Sequence, residues 1–213
     1  LQVDNFLALG PMAGVTDWAF RTICAELGVS VTITEMVSSR ALVYKDKKSA
    51  ALLKKNAGSL CGAQIFGNDP QIMAEGARLA LEISGCDFID INMGCPFPMQ
   101  AKHGRGSGLL AHVNILEEMA SAIAQKTDIT FSVKMRLGWE DANECMALLP
   151  LLNSLPLSHI TMHPRLGKQQ YKGEVDLEAF QRFYAECEKP LIYNGDLLTL
   201  DDIDTISNRF PRL

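Results

Sequence analysis

Short β-rich runs alternate with longer amphipathic ones along the whole chain, and this alternation limits the fold more than any other feature. Candidate strands cover Leu7 to Leu9, Val31 to Thr34, Gly62 to Ile65, Phe88 to Ile91, Thr130 to Lys134, His159 to Met162 and Leu191 to Tyr193. Helical patterns cover Asp17 to Leu27, Pro70 to Ser84, Ile115 to Gln125, Asp141 to Asn153, Leu177 to Glu186 and Thr199 to Ser207, with a weaker one near Ala41 to Lys55. Thr16 and Thr199 are expected N-caps, and Asp69-Pro70 reads as a cap followed by proline at the first helical position. Strict alternation calls for a parallel sheet, and strands apolar on both faces call for helices outside it.

Two arrangements satisfy that pattern, an open doubly wound sheet and a (β/α)8 TIM barrel. A dinucleotide-binding open sheet would carry G-x-G-x-x-G after its first strand, and Gly10-Pro11-Met12-Ala13-Gly14 is not that sequence. Polar or reactive residues instead close nearly every strand: Glu35, Gln64, Asn92 with Cys95, Lys134 with Arg136, His163 with Arg165, and Asn194-Gly195-Asp196. A TIM barrel gathers such ends at one face, where its chemistry is done. The reading is therefore a TIM barrel in one domain, residues 1-213. With no candidate strand after the last helix, the barrel is expected to be truncated before strand 8.

Composition narrows the class. At 213 residues and 47% hydrophobic content the chain can bury a large core. No apolar run approaches the roughly 20 residues needed to span a bilayer, so a soluble, cytoplasmic protein without a membrane partner is expected. Six cysteines, Cys24, Cys61, Cys86, Cys95, Cys145 and Cys187, show no C-x-x-C spacing, which argues against zinc or a disulfide framework. A net charge of −5 and a pI near 5.4 count against nucleic acid unless the cations are concentrated. Lys102, His103, Arg105, Arg136, Arg165, Lys168 and Lys172 all fall where loops are expected after strands, and would form a basic face if those loops lie together.

The segment Phe88-Ile89-Asp90-Ile91-Asn92 followed by Gly94-Cys95-Pro96 is the most pointed feature. A thiol between glycine and proline sits on rigid, irregular backbone at a strand end, where it can face a cavity. The plain alternative is a small buried hydrophobe.

Taken together, PMAGVTD (11 to 17), ITEMVSS (33 to 39), CGAQIFG (61 to 67), DINMGCP (90 to 96), VKMRLGW (133 to 139), HPR (163 to 165) with QQYKG (169 to 173), and NGD (194 to 196) resemble the bacterial tRNA-dihydrouridine synthases. The resemblance implies an FMN-binding TIM-barrel catalytic domain, with the family's C-terminal helical domain not in this sequence. It implies reduction of the C5=C6 bond of uridines in tRNA, with NADPH recharging the flavin. Cys95 then becomes the general acid, protonating one carbon after a hydride reaches the other.

Pro11, Met12 and Ala13 are expected to wall the flavin, unless they form only a tight turn. Gln64 offers an amide to its pyrimidine edge. Lys134, costly to bury without an anion, suits the reduced ring, a structural salt bridge being the alternative. His163 resembles the family's flavin-facing histidine and would otherwise be a core histidine. Asn194, Gly195 and Asp196 are expected at the FMN phosphate. Asn92 is expected to contact uracil or flavin, and Lys102, Arg105, Arg136 and Arg165 to meet tRNA phosphates. Gly104-Arg105-Gly106-Ser107-Gly108 reads as a mobile loop at substrate entry. A monomer is expected, without metal.

Two other readings share these residues. One is an FMN-dependent free-pyrimidine oxidoreductase resembling dihydroorotate or dihydropyrimidine dehydrogenases, which would need no basic rim. The other is an inactive RNA-binding fragment, which would purify colourless.

Overall fold

The computed structural model describes residues 7–126 and 131–213. In chain order its elements are β1 (Ala8–Leu9), α1 (Trp18–Glu26), β2 (Val31–Ile33), β3 (Val37–Ser38), α2 (Ser39–Val43), α3 (Lys47–Leu52), β4 (Leu60–Phe66), α4 (Pro70–Ser84), β5 (Phe88–Met93), α5 (Pro98–Lys102), α6 (Val113–Lys126), β6 (Phe131–Gly138), α7 (Glu144–Ser154), β7 (Leu157–Leu166), α8 (Leu177–Glu186), β8 (Leu191–Tyr193) and α9 (Leu200–Arg209). Short 3-10 helices cover Gly106–Ala111 and Gly167–Gln169. The chain divides into two compact units, Leu1–Ile91 with Glu118–Thr130, and Asn92–Glu117 with Phe131–Leu213.

In the first unit β1 pairs with β2, β2 with β4 and β4 with β5, all parallel, while β3 lies along the end of β4 with Val37 opposite Ile65. Val31, Ile33, Ala63, Ile65, Ile89 and Ile91 are buried along these strands, and Met73, Ala74, Ala77 and Ala80 are the buried stripe of α4. Each large aliphatic side chain so buried contributes about 1.5–3 kcal/mol. α4 starts where the sequence says it should, because Asp69 accepts from the N–H groups of Gln71 and Ile72 and Pro70 needs no partner.

In the second unit β6, β7 and β8 are parallel neighbours, with irregular register between Phe131 and Val133 and between Arg136 and Gly138. An aromatic cluster anchors its end: the ring of Phe210 packs 4.8 Å from Phe180 and 5.2 Å from Tyr184, and Phe180 meets Tyr193 at 5.1 Å. Edge-to-face pairs of this kind add to the area they bury.

Several local expectations are corrected. Asp17, not Thr16, caps α1, accepting from the Phe20 N–H at 2.8 Å. Thr16 is buried and closes the preceding turn, its hydroxyl oxygen accepting from the N–H of Met12. The weak helix over 41 to 55 is two helices, broken at Tyr44–Asp46, where Lys45 takes φ 60° and Asp46 starts a new cap. β6 and β7 run on to Gly138 and Leu166, so Arg136 and Arg165 are strand residues and not loop residues, and His163, expected at a strand end, lies inside β7. α7 begins at Glu144 and not at Asp141, because the Glu144 carboxylate gathers the N–H groups of Trp139, Glu140 and Asp141 into a loop. Thr130, the expected start of the fifth candidate strand, lies outside the described residues. Among the described residues no helix is long and apolar enough to cross a membrane.

Candidate active site

The second unit brings together Asn92, Cys95, Arg136, His163, Arg165, Gly195 and Asp196. Cys95 is a half-buried free thiol on the loop that follows β5. Asn92, the penultimate residue of that strand, turns its side-chain oxygen back to accept from the N–H groups of Gly94, at 3.3 Å, and Cys95, at 3.0 Å. From the other side Ser107 donates both its N–H (3.1 Å) and its hydroxyl (2.8 Å) to the Cys95 carbonyl. The thiol therefore rides on backbone fixed at its amide and at its carbonyl.

Gly106 makes the close packing beneath Cys95 possible. Its φ is +56°, and a Cβ there would stand 2.8 Å from the Cys95 carbonyl oxygen and 2.9 Å from its Cβ. Gly106, Ser107 and Gly108 are buried at the start of a 3-10 helix. The glycine-rich stretch expected to be a mobile entry loop thus contains a packed support for the thiol.

Arg136 was expected at tRNA phosphates on an exposed rim, and is instead 2% exposed. Its Nε donates to the Gly94 carbonyl at 2.8 Å, and its Nη1 to the carbonyls of Leu166 and Gln170 at 3.1 and 2.7 Å. Its guanidinium also lies 5.3 Å from the Tyr171 ring centroid. Burial lowers its pKa, which leaves a guanidinium charged at any ordinary pH. Arg165, expected on the same rim, is 4% exposed: it grips the Asp196 carboxylate at 2.8 and 2.5 Å, donates to the Gly173 carbonyl, and places Nη1 3.1 Å from His163 Nε2. A guanidinium can only donate, so His163 Nε2 accepts and Nδ1 carries the ring proton.

His163 is 8% exposed, and its pKa is pushed down to about 3, first by burial and then by the positive charges of Arg136, Lys134 and Arg165. Asp196 opposes this weakly and is itself held below the usual carboxylate range by Arg165. The result is a neutral imidazole among three cations and one carboxylate. Lys134, half-buried within β6, is one of those cations. Gly195, at φ +136°, lets its loop pass close to the imidazole: a Cβ there would stand 3.4 Å from His163 Nε2 and 3.3 Å from Val175, tighter than an ordinary contact. The Asn194 N–H is already given to the Met162 carbonyl, so what Asn194 can offer a ligand comes from its side chain. Lys102 is exposed at the end of α5 and Arg105 is half-buried.

The remaining expected residues belong to the first unit. Pro11 is half-buried, while Met12 and Ala13 are exposed in the turn after β1. Gln64 is buried in β4, donating its side-chain amide to Asp90 at 2.6 Å and taking the Thr34 hydroxyl as acceptor for its backbone N–H. Sequence reasoning placed Gly106 and Ser107 in an entry loop and did not connect them with Cys95; their proximity to the thiol is set by tertiary packing and has no local signature. Tyr171, part of the QQYKG motif, was given no role, and its ring stands 6.4 Å from His163.

This architecture has solved counterparts. The old yellow enzyme homologue from Zymomonas mobilis superposes with a TM-score of 0.68 at 12% identity, over 96% of this chain and 82% of that one. Old Yellow Enzyme from Pichia sp. AKU4542 gives 0.63 at 11% identity, over 97% and 76%. At such identities the likeness shows the fold, the TIM-barrel class. Closer likeness is found in sequence. tRNA-dihydrouridine synthase B of Vibrio vulnificus (strain CMCP6) is 34% identical and that of Escherichia coli (strain K12) 32%, each over 198 residues, which is 92% of this chain and 61% of the relative. The chain thus spans about three fifths of the length of these curated relatives. The profile of the family described as Dihydrouridine synthase (Dus) matches residues 7–209, nearly the whole chain, and takes in every site residue named above; the chain belongs to that family.

Proposed function

We propose that residues 1-213 form the FMN-binding catalytic domain of a flavin-dependent oxidoreductase that reduces the C5=C6 bond of uridines in tRNA to dihydrouridine. The single observation that carries the reading is the tethered thiol: Cys95 held at its amide by Asn92 and at its carbonyl by Ser107, with the Arg136 side chain fastened to the preceding carbonyl of Gly94. A residue that must give one proton to one carbon needs that fixity more than it needs an unusual acidity.

The chemistry of the site fits a flavin. An electron-rich ring that gains negative charge on reduction is stabilised by fixed cations and hydrogen-bond donors. Lys134, Arg136 and Arg165 outnumber the one carboxylate around His163, and the imidazole has Nδ1–H to donate. Lys134 and His163 are proposed to hold the ring, and the Asn194–Asp196 loop its phosphate. When bound and reduced by NADPH, the flavin supplies the hydride that enters one carbon of the uracil double bond.

The protein residues do the rest. Negative charge developing at the neighbouring uracil carbon is quenched by the Cys95 proton, and the resulting thiolate regains a proton from solvent. Asn92 and Ser107 keep the sulfur in line throughout. Lys102 and Arg105 are proposed to meet tRNA phosphates, contacts that orient the substrate without reading its sequence.

The test is Cys95→Ala. Dihydrouridine formation in unmodified tRNA should be lost while the protein keeps the visible absorbance bands of bound flavin. Undiminished turnover in that variant, or a wild-type protein that purifies colourless and cannot be loaded with FMN, would refute the reading.

A further inference from the structure

The charge of the first unit is concentrated. Between residues 40 and 55 stand six cations, Arg40, Lys45, Lys47, Lys48, Lys54 and Lys55, and a single carboxylate, Asp46, in a chain whose net charge is −5. Arg40, Tyr44, Lys45, Lys47 and Lys48 are all exposed where α2 turns back into α3. Asp46 is directed at the backbone: its carboxylate accepts from the N–H groups of Lys48 and Ser49 and from the Ser49 hydroxyl. No ion pair joins Lys45, Lys47 or Lys48 to a described residue, whereas Lys55, Arg78, Lys126 and Arg209 are each held by a carboxylate.

Two further features set this turn apart from an ordinary solvated surface. Lys45 adopts φ 60°, a conformation that glycine or asparagine takes more readily, at the sharp turn between α2 and α3. Aromatic rings also interleave with the cations. Tyr44 is 70% exposed with the Arg40 guanidinium 5.7 Å from its centroid, and Lys54 Nζ sits 3.5 Å from the Trp18 ring. Unpaired lysines beside an exposed tyrosine offer charge to phosphates and a flat face to an unstacked base.

We propose that the α2–α3 turn, through Arg40, Tyr44, Lys45, Lys47 and Lys48, is a docking surface for an RNA backbone, and that the RNA is the tRNA substrate. Its identity as tRNA rests on the function proposed above; the polyanion chemistry of the turn does not. The acidic remainder of the chain repels RNA and so confines it to such patches, which orients the substrate before any base is read.

The experiment compares the full protein with the triple variant Lys45→Gln/Lys47→Gln/Lys48→Gln and with a control triple of ion-paired cations, Arg78→Gln/Lys126→Gln/Arg209→Gln. Binding of unmodified tRNA is measured by fluorescence anisotropy across a salt series, together with steady-state dihydrouridine kinetics. Each phosphate that is no longer neutralised by a lysine lowers the log–log salt dependence by roughly 0.7–0.9, so the first triple should fall by about two to three in slope and about a hundredfold in affinity at low salt. KM for tRNA should rise with kcat little changed, the control should behave as wild type, and the corresponding Lys→Arg triple should restore binding. Wild-type affinity and slope in the first triple would overturn the proposal. So would equal weakening in the control, absence of tRNA binding by the wild type, or patch-dependent binding only to phosphatidylserine vesicles. If the wild type binds tRNA through this patch yet forms no dihydrouridine, the functional reading fails and the docking surface stands.

Discussion

Replacing Gly106 with alanine tests whether the packing beneath Cys95 matters to the chemistry. Two costs add. A non-glycine residue in the left-handed region at φ +56° loses about 1–2 kcal/mol. The new methyl would also stand 2.8 Å from the Cys95 carbonyl oxygen and 2.9 Å from its Cβ, against the ~3.5–4.0 Å of a relaxed carbon contact. Both are backbone-anchored atoms, so the loop must withdraw by roughly half an ångström, and overpacking of that kind costs about 1–3 kcal/mol. The sum is about 2–5 kcal/mol, a drop in the denaturation midpoint that urea unfolding followed by far-UV circular dichroism resolves. The displaced atom is the acceptor of both Ser107 bonds, so Cys95 shifts with it. Since a misplacement of about 1 Å can cost a hundredfold in rate, roughly tenfold is expected in kcat for flavin-loaded enzyme. A variant as stable as wild type would refute the packing argument. One that is destabilised but turns over normally per bound flavin would show that the fixity of Cys95 is irrelevant to proton delivery.

Two further perturbations follow from the electrostatics. His163 stays neutral in the folded protein down to about pH 3, whereas in the unfolded chain it takes a proton near its ordinary 6.5. Between those values the unfolded state binds more protons, so the stability associated with this group is complete above about pH 6.5 and is lost progressively as pH falls towards 3, by several kcal/mol at about 1.4 kcal/mol per pH unit. His163→Asn should flatten that part of the stability–pH curve in denaturant titrations, and an unchanged slope would remove His163 as its source. Arg21 is completely buried and donates to the carbonyls of Thr16 and Lys54 at 2.6 and 2.5 Å, with Asn56 Oδ1 at 3.4 Å. Arg21→Met strips these acceptors of donors while relieving a buried charge, so calorimetry should find a net loss of about 2–4 kcal/mol; a stabilised variant would mean that desolvation of the guanidinium outweighs its bonds.

Where structure is dictated locally, the sequence was a sufficient guide. Pro70–Ser84, Leu177–Glu186 and Leu191–Tyr193 occur with the expected bounds, because a capping carboxylate or a short apolar run acts within a few residues. The family motifs and the Gly94-Cys95-Pro96 step are equally local. The extents of β6 and β7 did not follow the same logic. Arg136 and Arg165 are charged residues whose polarity argues for a loop, and they are tolerated in strands because partners from other segments satisfy them. Arg136 reaches Gly94, Leu166 and Gln170, which lie 42, 30 and 34 residues away in sequence. No propensity or period encodes such a partnership, and a buried cation served by carbonyls lacks even the acidic counterpart that pairing of charges along the sequence would suggest.

The same distinction explains why a glycine-rich segment that looks mobile is packed. Glycine is selected for two opposite reasons: it frees the backbone, or it allows another segment to come closer than any side chain permits. Only the second brings two segments into touch, and here they do touch. A Cβ on Gly106 would meet Cys95, and one on Gly108 would stand 2.3 Å from the Ala101 carbonyl oxygen. Four restraints, from Asn92, Gly106, Ser107 and Arg136, therefore converge on a few residues around one thiol, from positions spread along the second unit. A buried structural cysteine needs no such convergence, since burial alone holds it; the proton donor proposed for this position does, because its rate would fall with every fraction of an ångström by which it wandered from the atom it must reach.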